Sequence, residues 1–149
     1  MAEWRFLDEL TLVTMTMTPE IDLHKLVRGM TPKLNEGEFV FTVVNELGSF
    51  DLSIALCTFK ENEGITLIVN RLKADELGLS YDFVANWITL EIQSSLEAVG
   101  LTAVFSKELA KNNISCNVVA GFHHDHIFVP TKDSIRAIEI LENLSSTYR

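Results

Sequence analysis

The chain has 149 residues, of which 47% are hydrophobic and 22% are charged, and its formal net charge is −9. A chain of this length and apolar content can bury the core of one ordinary domain or of two small subdomains, so global disorder is not expected. The acidic balance disfavours nucleic acids and anionic membrane surfaces as partners, because both attract basic proteins.

We interpret residues 1–20, whose apolar side chains show only weak helical spacing, as an N-terminal extension without an assigned function. No run approaches the roughly 20 apolar residues that span a bilayer, and no signal peptide is evident. Cys57 and Cys116 each lie in an apolar run typical of a strand. As buried reduced thiols they would fit a reducing compartment, although a disulfide between them stays open. The cytoplasm is therefore the expected location.

Residues 21–80 are predicted to form a first subdomain. Apolar residues at helical spacing predict a helix over 22–30, and the turn residues between 31 and 37 predict a loop after it. β-Branched and aromatic runs and a further helical pattern predict the remaining elements, which are strands at 39–44, 54–59 and 65–69 and a helix at 73–79.

Residues 81–149 are predicted to form a second subdomain, in which strands and helices alternate in the order β-α-β-β-α. The predicted elements are a strand at 87–92, a helix at 101–112, strands at 114–120 and 125–129, and a helix that begins at 131. This order is typical of a ferredoxin-like split unit that lacks its last strand. The missing strands could be exchanged between the two halves.

Two stretches of the second half resemble ACT domains. Residues 93–121 read QSSLEAVGLTAVFSKELAKNNISCNVVAG and resemble the opening strand, loop, helix and strand of an ACT domain. Residues 120–130 read AGFHHDHIFVP and resemble the following hairpin in proteins with paired ACT domains and the corresponding segment of the cytosolic arginine sensors of animals. In the first half, the predicted helix at 22–30 followed by the strand at 39–44 resembles the N-terminal half of bacterial tandem-ACT proteins. The resemblance covers about residues 20–145. It implies an α+β fold of two ferredoxin-like ACT subdomains packed side by side.

ACT domains bind amino acids and other small metabolites at interfaces between domains or subunits, and they usually regulate an enzyme or another partner. The resemblance therefore implies a free amino acid as the ligand, a homodimer, and a regulated protein partner that the residues do not identify. Carried over by position, it implies that the ligand is bound by Val99, Gly100, Leu101, Gly121, Phe122 and Asp125. The arginine sensors have an acidic residue where this chain has Ala98, so the resemblance does not imply which amino acid binds.

The same residues have a physical interpretation. Gly100 precedes a predicted helix whose N terminus offers free N–H groups and a partial positive charge, which suits an α-carboxylate. Ser95 and Thr102 add hydroxyl groups, and Asp125 could hold an α-ammonium group. The alternative is a structural or oligomerisation module without a ligand. In that case Gly100 only makes a turn, Ser95 only caps the helix and Asp125 only closes a hairpin.

The run His123-His124-Asp125-His126 offers side chains that bind transition metals, and a metal-binding protein is a further alternative. Neighbours along a strand point to opposite faces. Only His124 with His126, or His123 with Asp125, can therefore share a side, and a complete site would need ligands from elsewhere. We expect neither a metal nor another cofactor.

Catalysis is not expected either. Cys116 could be read as a nucleophile, but it alternates with Ile114 and Val118 along a predicted strand, which favours a core position. No nucleophile elbow, phosphate loop or dinucleotide fingerprint is present.

Overall fold

The computed structural model describes residues 19–48 and 51–149, and the predicted extension at 1–20 lies almost wholly outside them. In these ranges the chain forms four α-helices and seven β-strands. The helices are α1 (Leu23–Gly29), α2 (Arg71–Glu76), α3 (Leu101–Lys111) and α4 (Ser134–Thr147). The strands are β1 (Thr31–Leu34), β2 (Phe39–Val44), β3 (Ala55–Lys60), β4 (Ile65–Asn70), β5 (Val84–Glu91), β6 (Asn117–Ala120) and β7 (Asp125–Pro130).

The seven strands form one antiparallel sheet in the order β3-β4-β2-β5-β7-β6, and β1 pairs with β5 beside β2. The second half therefore has a complete four-stranded ferredoxin-like sheet only because β1 of the first half supplies its last strand. In return, the beginning of β5 pairs with Phe39 and Val40 of β2. The predicted α+β fold is confirmed, and the strands that each half lacks are exchanged.

The loop predicted between 31 and 37 is wrong for its first four residues, because they form β1. Pro32 looks like a turn residue, but it pairs opposite Leu90 at a position where main-chain N–H groups point away from β5. Proline is tolerated at such an edge position because no ladder hydrogen bond is lost. The proline that resembles a turn residue therefore lies in an edge strand.

All four helices pack on one face of the sheet. α1, α3 and α4 bury their apolar stripes against Ile88 and Leu90 of β5 and Ile127 and Val129 of β7. Ala74 of α2 packs in a second cluster on the first half, with residues of β2 and β4. These clusters hold α3 over the second half of the sheet. In α4, Leu141 is buried as its helical spacing predicts, but Ile135, which the same spacing placed on the apolar stripe, is 63% exposed.

The opposite face carries an aromatic cluster, which consists of Phe39, Phe41, Phe83, Trp87 and Phe128. The rings of Phe41 and Phe128 are 5.3 Å apart and meet edge to face, although β5 lies between their strands. Two strands separated by a third are normally about 10 Å apart, so the sheet curves toward this face.

The two halves contain a structural repeat, because the β2–β4 ladder and the β5–β7 ladder have matching registers. Their terminal pairs are Phe39 with Asn70 and Val44 with Ile65 in the first half, and Ala85 with Pro130 and Leu90 with Asp125 in the second. The connections differ. Residues 92–116 between β5 and β6 contain α3, whereas in the shorter connection 45–54 the described residues form only a 3-10 turn.

Candidate functional site

The candidate site lies at the end of the sheet where β5 ends and β7 begins. Because these strands are antiparallel, the loop 92–100 leaves β5 beside Asp125, which pairs with Leu90. Asp125 shares its face of the sheet with Ile127 and Val129, the face on which α3 packs. The structure therefore brings the N terminus of α3 and the Asp125 side chain to the same end and the same face.

The N terminus of α3 is uncapped. Gly100 adopts the left-handed conformation with φ of 105°, and no side chain caps the helix. The first helical hydrogen bond runs from the Val104 N–H to the Gly100 carbonyl, so the N–H groups of Leu101 and Thr102 point out of the helix end. Leu101 itself is buried, whereas Thr102 is exposed. An uncapped helix N terminus can accept an anion.

One flank of this helix end is closed by the chain itself. The Glu20 N–H donates to the Gln93 carbonyl, and the Ser95 N–H donates to the Glu20 carbonyl, each over 3.0 Å. A Cβ atom added to Gly100 would lie 3.0 Å from Cδ2 of Leu23, the first residue of α1. Sequence spacing did not indicate this contact, since Leu23 is separated from Gly100 by most of the first half.

Ser95 and Val99 lie in the loop before α3, and neither side chain caps the helix. Ser95 Oγ accepts a hydrogen bond from the Glu97 N–H over 3.1 Å, so the hydroxyl stabilises the turn at 95–98 and does not cap α3. Val99 is 83% exposed and Leu96 is 68% exposed. The loop therefore presents apolar side chains to solvent next to the helix N terminus.

The hairpin between β6 and β7 lies at the same end of the sheet. The Gly121 N–H donates to the His124 carbonyl over 2.9 Å and closes the turn. A Cβ atom at Gly121 would approach that carbonyl oxygen to 2.8 Å, so this position requires glycine. Phe122 is 78% exposed, and its ring packs edge to face on His123.

Asp125 is the unusual residue of the site. It is only 9% exposed, and no hydrogen bond reaches its carboxylate from the described residues. Burial raises the pKa of Asp125, and the nearby His126 and His124 offset only part of that effect. The carboxylate oxygens are not among the fully buried polar atoms of the described residues, so a cationic group can reach them, and the low polarity around the side chain favours such a partner.

The histidine run is divided between the two faces of the sheet. His124 Nδ1 lies 3.1 Å from the Ile92 carbonyl oxygen, whereas His126 lies on the aromatic face opposite to Asp125. There, the Trp87 Nε1–H donates to His126 Nδ1 over 3.1 Å, and burial lowers the pKa of His126. Within 19–48 and 51–149, no three His, Cys, Asp or Glu side chains lie close enough to hold a metal ion.

Both cysteines are free thiols. Cys116 packs against the helix-side core, and burial raises its pKa to about 11, so it stays a thiol and is a poor nucleophile near neutral pH. Cys57 packs against the aromatic cluster on the other face. A cavity of about 90 Å³ beside Cys57, Trp87 and His126 is well below the roughly 300 Å³ of typical small-molecule sites.

Sequence models of the ACT domain match the chain twice, over residues 18–86 and over residues 82–143. The two matches overlap at residues 82–86, where β5, the strand shared by both halves, begins. Curated proteins give no significant match. In the described residues, no helix is both long and apolar enough to cross a membrane.

Several solved structures are similar to this chain. A Vibrio cholerae protein of unknown function, described as a "Possible Transport Protein", is 42% identical with a TM-score of 0.75, and the match covers 83% of this chain and 95% of that one. Aspartokinase alpha and beta subunits share 11% identity with a TM-score of 0.57, over 76% of this chain and 96% of that one. E. coli aspartokinase III in complex with aspartate and ADP shares 13% identity with a TM-score of 0.54, over 87% of this chain and 34% of that one.

Proposed function

This chain belongs to the ACT-domain family, whose members are generally regulatory modules that bind small ligands, and we propose that it binds a free amino acid between the N terminus of α3 and Asp125. The observation that carries the proposal is the largely buried Asp125 side chain, whose carboxylate has no described protein partner and lies at the same end and face of the sheet as the uncapped helix. Aspartokinase III, which shares the fold, is described in complex with the amino acid aspartate.

The N terminus of α3 and the Asp125 carboxylate suit the two charges of an α-amino acid. The free N–H groups at Leu101 and Thr102 can donate to the α-carboxylate, and Asp125 can accept from the α-ammonium group. The close packing of Gly100 and of Gly121 keeps both neighbouring turns in fixed positions. A preformed pair of opposite charges favours a zwitterion over a simple anion or cation.

The internal repeat supports one ligand site in each chain. Among the described residues the first half has no counterpart of α3, and the residue equivalent to Asp125 is Ile65. It therefore offers neither the helix N terminus nor the carboxylate. We propose that only the second ACT domain binds the ligand, whereas the first supports it.

We also propose that the protein forms a homodimer that covers this end of the sheet. Leu96, Val99 and Phe122 are each more than two-thirds exposed and surround the site. Exposed apolar side chains that cluster in this way commonly mark an interaction surface. We further propose a regulatory role without catalysis, in the cytoplasm, which the two free thiols support.

The test is a thermal-shift screen of the full chain against the twenty amino acids, followed by titration calorimetry on any amino acid that stabilises it. A ligand at 100 times its Kd adds about 2.7 kcal/mol, which raises the Tm of a chain of this size by about 5–10 °C. We expect a stoichiometry of one ligand per chain.

Asp125→Asn should weaken binding by roughly 10- to 100-fold, because it removes a charge-assisted hydrogen bond but keeps the shape of the side chain. Glu142→Gln, an equal change of charge on the exposed side of α4, is the matched control and should bind normally. Unchanged affinity in the Asp125→Asn variant would show that the ligand binds elsewhere.

A structural or oligomerisation module without a ligand is the second candidate, and specific contacts favour it. Leu23 already packs against Gly100, and Gly121 is required by its own turn. If this function is correct, none of the twenty amino acids will raise the Tm, and substitutions of these glycines will change only stability or assembly.

A further inference from the structure

A hydrogen-bond network on the aromatic face connects β7, β5 and the end of β1. His126 Nδ1 accepts from the Trp87 Nε1–H over 3.1 Å and lies 3.2 Å from Thr89 Oγ1. Asn35, the residue after β1, donates through Nδ2 to Thr89 Oγ1 over 2.9 Å and through its main-chain N–H to the Trp87 carbonyl over 2.9 Å. The network therefore holds the strand that the first half supplies against the two central strands of the second half.

The donors around His126 determine its protonation state. An indole nitrogen only donates, so the Trp87 bond requires that Nδ1 of His126 carries no hydrogen. Thr89 Oγ1 accepts from Asn35, so its own hydrogen is free to point at the same Nδ1. The neutral ring must therefore carry its hydrogen on Nε2. A proton added at Nδ1 would face the Trp87 N–H, and two donors that face each other cannot form a hydrogen bond.

His124, two residues earlier, has the opposite requirement. Its Nδ1 lies 3.1 Å from the Ile92 carbonyl oxygen, which only accepts, so Nδ1 must carry a hydrogen. This donor is present in both the neutral and the charged ring. Protonation therefore leaves the contact of His124 intact but breaks the contacts of His126.

The surroundings of His126 favour its neutral form. Burial lowers the pKa of His126, the charge of the nearby His124 acts in the same direction, and Asp125 opposes both. The Cys57 thiol lines the same cavity of about 90 Å³ as the ring. The uncharged side chains packed around the ring are those of Trp87, Thr89, Val119 and Phe128. The cavity is large enough for water to enter, so a charged ring that leaves Trp87 can be hydrated.

We propose that His126 is an acid-sensitive lock between the two ACT domains. When acidification protonates Nδ1, the bonds to Trp87 and Thr89 break and the end of β1 is held less tightly against β5. Acidity would then weaken the grip on the strand that the first domain lends to the second. The lock lies on the face of the sheet opposite to Asp125, so it does not depend on amino-acid binding.

Long-range ¹H–¹⁵N NMR spectra of the full-length chain at pH 7 test the protonation states. His126 should be the tautomer with its hydrogen on Nε2, whereas the neutral form of His124 should carry its hydrogen on Nδ1. A hydrogen on Nδ1 of His126 at this pH would overturn the proposal, because Trp87 could not then donate to that nitrogen.

Acidification from pH 7 to pH 4.5 tests the release. The Trp87 indole N–H signal should shift with the same midpoint as the His126 ring. At pH 4.5 the Asn35 amide should exchange about 5- to 10-fold faster in the wild type than in His126→Asn, the effect of losing roughly one hydrogen bond. At pH 7 the two proteins should exchange equally, because the asparagine oxygen can accept from Trp87 but does not titrate.

His24→Asn removes an exposed histidine on α1, so it is the matched control and should keep the acid response of the wild type. Asp125→Asn should also keep the response but at a lower midpoint, because Asp125 favours the charged ring. Trp87→Phe removes the indole donor, so it should raise the midpoint of His126. An acid response of the Asn35 amide that persists in His126→Asn, or an unchanged His126 midpoint in Trp87→Phe, would show that His126 is not the lock.

Discussion

Asp125 begins β7 at the position that Ile65 holds at the start of β4. The strand itself does not need an acidic residue there, because isoleucine fills the equivalent place in the same register. A buried carboxylate lowers stability unless a cation or hydrogen-bond donors surround it. The difference between isoleucine and aspartate at one repeat position therefore supports the proposed role of Asp125 in ligand binding.

The raised pKa of Asp125 predicts how pH affects stability. Because its folded-state pKa lies above the unfolded value of about 3.9, the folded chain binds more protons between these two values. The free energy of unfolding should therefore fall as pH rises through that window. Asp125→Asn should be more stable than the wild type at pH 7 and equally stable below the unfolded pKa.

Urea denaturation of both proteins between pH 3 and pH 7 measures this difference. The comparison at each pH cancels the contributions of titrating groups that do not interact with Asp125. A wild type that is more stable than Asp125→Asn at pH 7 would mean that the carboxylate has a favourable partner in the free protein.

At the scale of elements, the start of α3 depends on Gly100. Its φ of 105° is unfavourable for any other residue, and a side chain would also meet Leu23 of α1. Gly100→Ala should therefore lower the free energy of unfolding by about 2–3 kcal/mol, measured by urea denaturation.

Gly78→Ala is the matched control, because Gly78 has a positive φ of 64° but nothing within 4 Å of an added Cβ atom. It should cost only about 1–2 kcal/mol, the penalty of the left-handed backbone. Equal losses in the two variants would show that the contact between Gly100 and Leu23 adds nothing to the cost.

Local sequence patterns predicted the elements whose hydrophobic spacing matches the structure that they form. The strand expected at 39–44 is β2 with the same bounds, and the helix expected at 101–112 is α3. β1 was not predicted, because its partner β5 lies more than 50 residues away and Pro32 resembles a turn signal. Most predicted site residues came from the resemblance to ACT domains, whereas Ser95 and Thr102 came from their hydroxyl groups near the predicted helix N terminus. No local pattern indicates that Glu20 and Leu23 close one flank of the site.

At the scale of the whole molecule, the proposed homodimer depends on the apolar side chains around the ligand site. Phe122→Ser should convert the dimer to a monomer in sedimentation-velocity ultracentrifugation, because it removes the largest exposed aromatic side chain at this end of the sheet. Leu72→Ser changes a side chain of similar exposure on α2 and should leave the dimer intact. A wild type that sediments as a monomer at all concentrations would contradict the dimer.

The exchange of strands between the two halves has a consequence for biosynthesis. β1 leaves the ribosome with the first half, but its partner strand β5 is made some 50 residues later. The first ACT domain cannot complete its sheet before the second begins to emerge, and the second has no complete sheet without the first. The two halves must therefore mature together as one cooperative unit, and a nascent chain that stalls between them would expose an unpaired edge to the chaperone machinery.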